Sequence, residues 1–294
     1  MALHESPSKI TILSVLFIGI IGISTGSIFA KYAEAPSLII STYRTGIAAA
    51  FMAPIALIYY RQELLSIKQK DLIYVFLAGL FLALHFATWI TSLFYTSVAS
   101  SVVIVETIPI WTALLSPLVT KDRTSLLSWL GIGLSFIGMI IITTGDFSIG
   151  KKALIGDLLA LAGAWFGTFY FLAGRVVRPR MGLPSYTFIC YGTAFAILLS
   201  TSLILGLPLR GFSTHTWWAF AGMGLVSQIM GHSSYNWALK HVSAGLVAVA
   251  LLGEPLGATF LAWLLFHESL TIAKIIGGTA ILTGIIIAAR GENS

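Results

Sequence analysis

The strongest constraint on the fold of this chain is that its sequence repeats itself at long range. Residues 92–145 align with residues 238–291 without a gap, at a constant offset of 146. The register superimposes one proline and three glycines on their counterparts: Pro109 on Pro255, Gly131 on Gly277, Gly138 on Gly284 and Gly145 on Gly291. We therefore predict a duplicated unit, with one copy in residues 1–146 and the other in residues 147–294.

The composition places both copies in a membrane. Of the 294 residues, 57% are hydrophobic and 10% are charged, whereas a soluble domain carries about 25% charged residues. A helix crosses the hydrocarbon with about 20 apolar residues. Ten runs are candidates for such helices: 10–30, 36–60, 71–93, 97–120, 125–145, 152–175, 184–206, 215–238, 242–266 and 271–290. The prediction is an all-α integral membrane protein whose ten transmembrane helices form a single membrane domain of two five-helix repeats. Because each repeat has an odd number of spans, the second repeat starts on the opposite side of the membrane from the first, so the two repeats are inverted.

The distribution of basic residues predicts the orientation in the membrane. With a cytoplasmic N-terminus, eleven Lys and Arg residues fall in inside loops and five in outside loops, which follows the positive-inside rule. The five on the outside are Lys31, Lys151, Lys152, Arg210 and Lys274. We expect a multi-pass protein of the cytoplasmic membrane with both termini in the cytoplasm.

Four ionisable residues interrupt the apolar spans: His85, Glu106, His232 and Glu254. Each costs at least about 2.5 kcal/mol at the bilayer centre on insertion scales, so such groups usually face a bundle interior or a water-filled cavity. The two His differ by 147 positions and the two Glu by 148, close to the repeat offset of 146. The symmetry predicts that all four converge on one central cavity, where the carboxylates bind a cationic group or a proton. The alternative is packing, with each side chain satisfied by a neighbouring helix.

Arg44 is a basic residue inside the second span and has no basic counterpart in the second copy. It either snorkels along its own stem to the outer surface, or binds a substrate carboxylate or pairs with an acid such as Glu34.

Large aromatic residues in the spans are candidates for the cavity walls. They are Trp89, Trp111, Trp165, Tyr235 and Trp237, with Asn236 between the last two. Aromatic rings beside a carboxylate can hold an amine by cation–π contact, although an aromatic stripe also occurs in ordinary helix packing.

Other chemistry has no motif in this sequence. It contains no glycine-rich phosphate loop, no His pair of metal-ligand spacing and one cysteine, Cys190. We expect no cofactor, no nucleic-acid partner and no ATP hydrolysis by this chain. Glycines at close spacing, Gly131, Gly138, Gly277 and Gly284 among them, predict helices that approach each other closely.

With these features the sequence resembles the EamA-type transporters of the drug/metabolite transporter superfamily over essentially its whole length. The resemblance rests on the two five-span repeats, Arg44, the run Tyr95-Thr96-Ser97-Val98-Ala99-Ser100 leading to Pro109, Ser243-Ala244 leading to Glu254-Pro255, and the acidic Asp122 and Glu268. It implies a central cavity and alternating access without ATP. Glu106 departs from the family pattern, in which a hydroxyl or apolar residue is commoner at that position.

Inverted repeats are typical of secondary transporters, with the site near the midplane. We predict a secondary transporter, not an enzyme, that exports a small amphipathic metabolite, an amino acid or a related amine. Protons, membrane lipids and a second copy of the chain are further candidate partners. The alternatives are efflux of lipophilic cations, an intramembrane enzyme acting on a lipid, and a structural subunit.

Overall fold

A computed structural model describes residues 7–143, 150–266 and 271–291 of the protein, and every regular element in these ranges is helical. Gly145 and Glu268 lie outside the described residues. In chain order the helices are α1 (Lys9–Ile23), α2 (Gly26–Tyr32), α3 (Ser37–Tyr59), α4 (Arg61–Leu65), α5 (Gln69–Ser92), α6 (Val98–Val105), α7 (Ile108–Val119), α8 (Leu126–Thr143), α9 (Lys151–Val177), α10 (Leu183–Ile204), α11 (Thr214–Gly222), α12 (Ser233–Ala238), α13 (Ala244–Leu251), α14 (Glu254–Phe266) and α15 (Ile272–Gly291).

Eight helical segments of the described chain are long and apolar enough to cross a membrane, against ten predicted. They are Lys9–Tyr32, Ser37–Tyr59, Gln69–Ser92, Val98–Val119, Lys151–Arg180, Leu183–Ile204, Ala244–Leu261 and Ile272–Gly291. The fifth predicted span corresponds to a shorter apolar helix, Leu126–Ile142. The eighth corresponds to α11, a π-helical segment at Met223–His232, and α12, which follow one another directly.

Two of the long segments are broken in the middle at equivalent positions. Helix α6 ends at Val105 and α7 begins at Ile108, while α13 ends at Leu251 and α14 begins at Glu254. Both pairs of boundaries differ by the repeat offset of 146. Pro109 and Pro255 are each the second residue of the following half-helix, where a missing backbone N–H costs nothing because that group has no partner in the first turn.

Serine residues start both broken segments. The side chain of Ser97 accepts a hydrogen bond from the Ser100 N–H at 3.0 Å, and Ser243 accepts from the Leu246 N–H at 3.2 Å. Such N-caps satisfy one of the unpaired donors at a helix start. The serines in the repeated sequence runs therefore have a local structural role.

Glycines bring α8 and α15 into close contact. A Cβ atom on Gly138 would lie 2.5 Å from the carbonyl oxygen of Gly277, and one on Gly131 would lie 2.5 Å from that of Gly284. Between them, the Ser135 hydroxyl donates to the Ile281 carbonyl at 3.1 Å. The close approach predicted from the glycine spacing is confirmed for this pair of helices.

The remaining helices of the two copies pack against one another around the centre. Helix α5 contacts α9, the π-helical segment contacts α1, α3 contacts α10, and α7 contacts α13. The core therefore lies between the copies, and both broken segments reach it.

Candidate functional site

A cavity between helices of both copies brings together six of the predicted site residues. They are Arg44, His85, Trp89, Glu106, His232 and Glu254. Each of these residues is less than one-tenth exposed. The cavity volume is about 20 Å³, room for about one water molecule. A ligand of several heavy atoms would enter only if the helices moved apart.

The two carboxyl groups occupy the breaks in the helices. Glu106 is the C-cap of α6 and is 2% exposed, and Glu254 is the first residue of α14 and is 7% exposed. The positive end of the α14 dipole favours a negative charge on Glu254. At Glu106 the negative end of α6 meets the positive end of α7, so the two dipoles offset each other. In the equivalent break α13 ends at Leu251, so its negative end lies farther along the chain from Glu254 than that of α6 does from Glu106. The two carboxylates therefore have different electrostatic surroundings.

Arg44 lies inside the protein, and 1% of its surface is exposed. Its Nε donates to Oε1 of Gln228 at 2.7 Å, and the guanidinium carbon lies 3.9 Å from the ring centroid of Phe86. In the described chain no carboxylate lies within ion-pair distance of it, and the candidate partner Glu34 is exposed. The snorkelling interpretation and the pairing with Glu34 are both wrong, since packing against Phe86 directs the side chain inward.

The two histidines differ in their contacts. Nδ1 of His85 lies 2.8 Å from the carbonyl oxygen of Gly163, and since a carbonyl only accepts, this nitrogen carries the proton. The His85 ring stacks on Trp89 with centroids 5.9 Å apart. His232 packs edge-on to Phe86 at 5.2 Å. His85 thus combines a satisfied packing role with a place on the cavity wall.

Polar atoms without partners concentrate at this cavity. In and next to it, the described chain offers no hydrogen-bond partner to Nη1 of Arg44, Nε1 of Trp89, Oε2 of Glu106, Nε2 of Gln228, Nδ1 of His232, Oη of Tyr235 and Oε1 of Glu254. Buried polar atoms are normally hydrogen-bonded, and exceptions call for an explanation such as a functional role. These donors and acceptors can bind a polar ligand.

The other predicted site residues do not line the cavity. Trp111 and Trp165 form an edge-to-face pair, 5.3 Å between centroids, in a separate apolar pocket, where Trp165 is 49% exposed. Trp237 packs on His241 at 4.5 Å. Tyr235 is buried 6.5 Å from His232, ring centroid to ring centroid.

Asn236 belongs to a buried hydrogen-bond network next to the cavity. Its Oδ1 accepts from the Tyr170 hydroxyl at 2.9 Å, and its Nδ2 donates to the Tyr191 hydroxyl at 3.0 Å. The Tyr191 hydroxyl in turn lies 3.0 Å from the hydroxyl of Ser233. Since Tyr170 lines the cavity, the network fixes one cavity wall to α10 and α12.

Several residues of the site were missed by sequence reasoning. The cavity is also lined by Ile23, Val105, Ile108, Gly167, Tyr170, Phe171 and Leu251. These apolar and aromatic types are common in every span, so no signal sets them apart. Gln228 did carry a signal, because it is the one glutamine within the predicted spans.

Charged contacts join the two copies at one end of the bundle. Arg175 donates through Nε to Asp122 at 3.0 Å and through Nη1 to the Leu239 carbonyl at 2.9 Å. Arg180 pairs with Asp71, with Nη2 and Oδ1 2.5 Å apart. In both ion pairs the acid comes from the first copy and the arginine from the second.

Comparison with known proteins gives one family and several relatives. The model of the EamA-like transporter family matches residues 9–144 and 154–290. The uncharacterized transporter YdfC of Bacillus subtilis is 26% identical over 74% of this chain and 71% of its own length. The uncharacterized transporter YyaM of the same organism is 25% identical over 84% of this chain and 83% of its own length.

An uncharacterized transporter of the archaeon Archaeoglobus fulgidus is 26% identical over 69% of this chain and 72% of its own length. A crystal structure with 19% sequence identity superposes with a TM-score of 0.79 and covers 97% of this chain and 99% of its own. That likeness is one of fold.

Proposed function

This chain belongs to the EamA-like transporter family and is a multi-pass membrane transporter, and on that premise we propose that it is a secondary transporter in the cytoplasmic membrane. It exports a small amphipathic metabolite, an amino acid or a related amine, through the central cavity. The observation that carries the proposal is the cluster of buried polar atoms on Arg44, Glu106, His232 and Glu254 that have no hydrogen-bond partner within the described residues.

The chemistry of the cavity suits an amine with an apolar body. Glu106 and Glu254 offer acceptors for an ammonium group, while Trp89, Tyr170 and Phe171 form apolar walls. A cation near aromatic faces and a carboxylate gains from both interactions. The same groups would bind a lipophilic cation, which makes efflux of such cations the second candidate.

The mechanism we propose is alternating access by two inverted five-helix repeats, 1–146 and 147–294. The small cavity corresponds to a closed state, from which the site opens to one side when one repeat rocks against the other. Both termini lie in the cytoplasm, as the basic residues predict, and so do the Arg175–Asp122 and Arg180–Asp71 ion pairs. Opening to the cytoplasm would separate these pairs.

A proton is the proposed coupling ion. Glu106 and Glu254 share one cavity, and among the described residues no cation lies within ion-pair distance of either carboxyl group. Like charges at such a site disfavour each other. Either a proton or the ammonium of a substrate relieves that repulsion, so the two would compete. Membrane lipids and a second copy of the chain as partners stay predictions.

Transport by purified protein in liposomes tests the proposal. Radiolabelled amino acids, polyamines, quaternary amines and nucleosides would be loaded inside, and their efflux and chemical identity followed with and without a proton gradient. We expect efflux of at least one amine-bearing class, unchanged chemically, and its loss in Glu106→Gln.

The matched control is Glu34→Gln, the same change at an exposed residue outside the cavity, which should transport as the unaltered protein does. Chemical conversion of the solute, or equal transport by Glu106→Gln and the unaltered protein, would contradict the proposal.

A further inference from the structure

We propose that Arg44 is the anion-recognition group of the central site, that Gln228 positions it, and that the substrate therefore carries a carboxylate as well as an amine. The inference rests on the proposed transport function and narrows its substrate class. It separates zwitterions from simple amines and lipophilic cations, which the carboxylates and aromatic walls alone would accept equally.

The first step is the charge state of the Arg44 surroundings. The guanidinium lines the cavity and is buried, and in the described part of the chain no carboxylate oxygen lies within 4.0 Å of it. Glu254 lines the same cavity and interacts with Arg44 electrostatically, but from beyond ion-pair distance. Burying a cation without an anion in direct contact is strongly unfavourable. A site that keeps such a cation, with Nη1 free of any partner in the described chain, is suited to an anion that arrives with the ligand.

The second step is the chemistry of the contacts that hold the guanidinium. Gln228, which is fully buried, accepts from Nε through Oε1 at 2.7 Å, and the guanidinium carbon lies 3.9 Å from the centroid of the Phe86 ring. Both partners are neutral, so Arg44 is oriented without losing its charge. The amide orientation follows from the contact, because arginine only donates. A glutamate in place of Gln228 would form an ion pair with Arg44 and so neutralise the charge that would otherwise bind a ligand carboxylate.

A glycine allows the backbone to place Gln228 beside Arg44. Gly224 lies one turn earlier in the π-helical segment, and a Cβ on it would come within 2.6 Å of Ile47 and 3.5 Å of the Arg44 carbonyl oxygen. The missing side chain lets this segment lie against the backbone of α3. π-helical turns are frequent at functional sites, and this one carries both Gln228 and His232.

The buried guanidinium favours ligands that carry a carboxylate. A zwitterion offers its carboxylate to Arg44 and its ammonium to Glu106 or Glu254, so Arg44 and one of the two carboxylates gain a partner. An amine that lacks the carboxylate leaves Arg44 buried and unpaired. Discrimination of this kind comes from the unmatched group as much as from the matched one.

Pairs of ligands that differ by one carboxylate provide the test. Binding to the purified protein would be measured for phenylalanine and phenethylamine, leucine and isopentylamine, and lysine and cadaverine. We expect at least one amino acid to bind about tenfold or more tightly than its amine, as a charged hydrogen bond would give. This comparison needs no variant, so misfolding of a mutant cannot obscure it.

The variant Gln228→Glu tests the positioning role. It should lower amino-acid affinity about tenfold or more while leaving the affinity for the paired amine unchanged or higher, so the preference disappears. Gln62→Glu, the same change at an exposed position, is the matched control and should keep the preference.

Three results would overturn the inference. If the amine binds as well as its amino acid in every pair that binds, the transport function survives and the anion-recognition role fails. If Gln228→Glu folds, as judged by its melting temperature, and keeps the preference, Gln228 is not the positioning residue. If no member of any pair binds or is transported by the unaltered protein, the proposed function and this inference both fail.

Discussion

The two copies of the repeat have equivalent helices and helix breaks but different charged residues. Arg44 is the eighth residue of α3 and Cys190 the eighth residue of α10, so the offset of 146 relates them, and both are buried. Likewise Glu106 corresponds to Leu252, and Glu254 to Ile108. Duplication therefore supplied two equivalent helix breaks, whereas each copy brings a different set of charged groups to the cavity.

The candidate site is asymmetric although the helices that carry it are related by the repeat. Glu254 begins a half-helix, and Glu106 lies between two of them. The first copy contributes the arginine and the second contributes the glutamine that orients it. A symmetric pair of breaks thus holds an asymmetric set of charges, which suits a ligand whose own ends differ.

The largest effect is expected from removing the charge of the Glu106 carboxyl group, where no single helix dipole dominates. Glu106→Gln should leave the fold intact and lower transport about a hundredfold, the order expected for losing a buried charge partner. The remaining transport should lose its dependence on pH, because the proton competitor has lost its site. Glu254→Gln, at the positive end of α14, is the matched comparison and should retain part of the pH response.

Liposome efflux measured at several external pH values checks this prediction. Transport and pH response equal to those of the unaltered protein in Glu106→Gln would rule out the role of that carboxyl group.

Arg44 and Cys190 give the next largest contrast. Arg44→Lys keeps the charge but loses the planar fork, and the affinity for a carboxylate-bearing substrate should fall about tenfold. Cys190→Ala, at the equivalent place in the other copy, should bind substrate as the unaltered protein does. Ligand binding to the two purified variants would be compared, and equal affinities would show that the charge, not its geometry, is what the site uses.

The third contrast concerns the scaffold that both copies share. Gly138→Ala puts a methyl group 2.5 Å from the Gly277 carbonyl and should destabilise the protein by about 1–3 kcal/mol, as overpacking does. Gly133 lies in the same helix with nothing within 4 Å of its Cβ position, so Gly133→Ala should be neutral or slightly stabilising. Thermal unfolding in detergent separates them, and equal melting temperatures would argue against the tight α8–α15 contact.

The smallest effect on stability is expected at the charged end of the bundle. Asp122→Asn breaks the ion pair with Arg175, in which both side chains are about one-fifth exposed. The substitution should lower the free energy of unfolding by about 1 kcal/mol or less. The substitution should change the rate of transport, because it removes the Asp122–Arg175 ion pair from the closed state and the open state does not have this pair. Arg123→Gln changes an exposed neighbouring charge and serves as the control.

Efflux rates from the two proteins, with melting temperatures alongside, check this prediction. A rate in Asp122→Asn equal to that of Arg123→Gln would indicate that the ion pair does not hold the closed state.

Local sequence patterns predicted much of this molecule. The offset of 146 predicted the duplication, which the family model matches in two segments. The proline pair lies at both helix breaks, although the two spans were predicted as continuous. The four ionisable residues were expected in one cavity, and the structure places them in one. Such features follow from local rules, because an apolar run, a proline or a buried charge constrains the backbone wherever it lies in the chain.

Tertiary packing decided the rest. The sequence left open whether Arg44 reached the surface, and it grouped Trp111 and Trp165 with the cavity, although Trp165 is half exposed on the outside of α9. It gave no role to Gln228, which is 184 residues from Arg44 and meets it only because a π-helical segment lies against α3. The sequence by itself determined that the chain is helical, where most of its apolar segments lie and that they come in two copies. The rotation of each helix about its axis, and hence which side chains share the cavity, was decided by how the helices pack, because that depends on contacts between residues far apart in the chain.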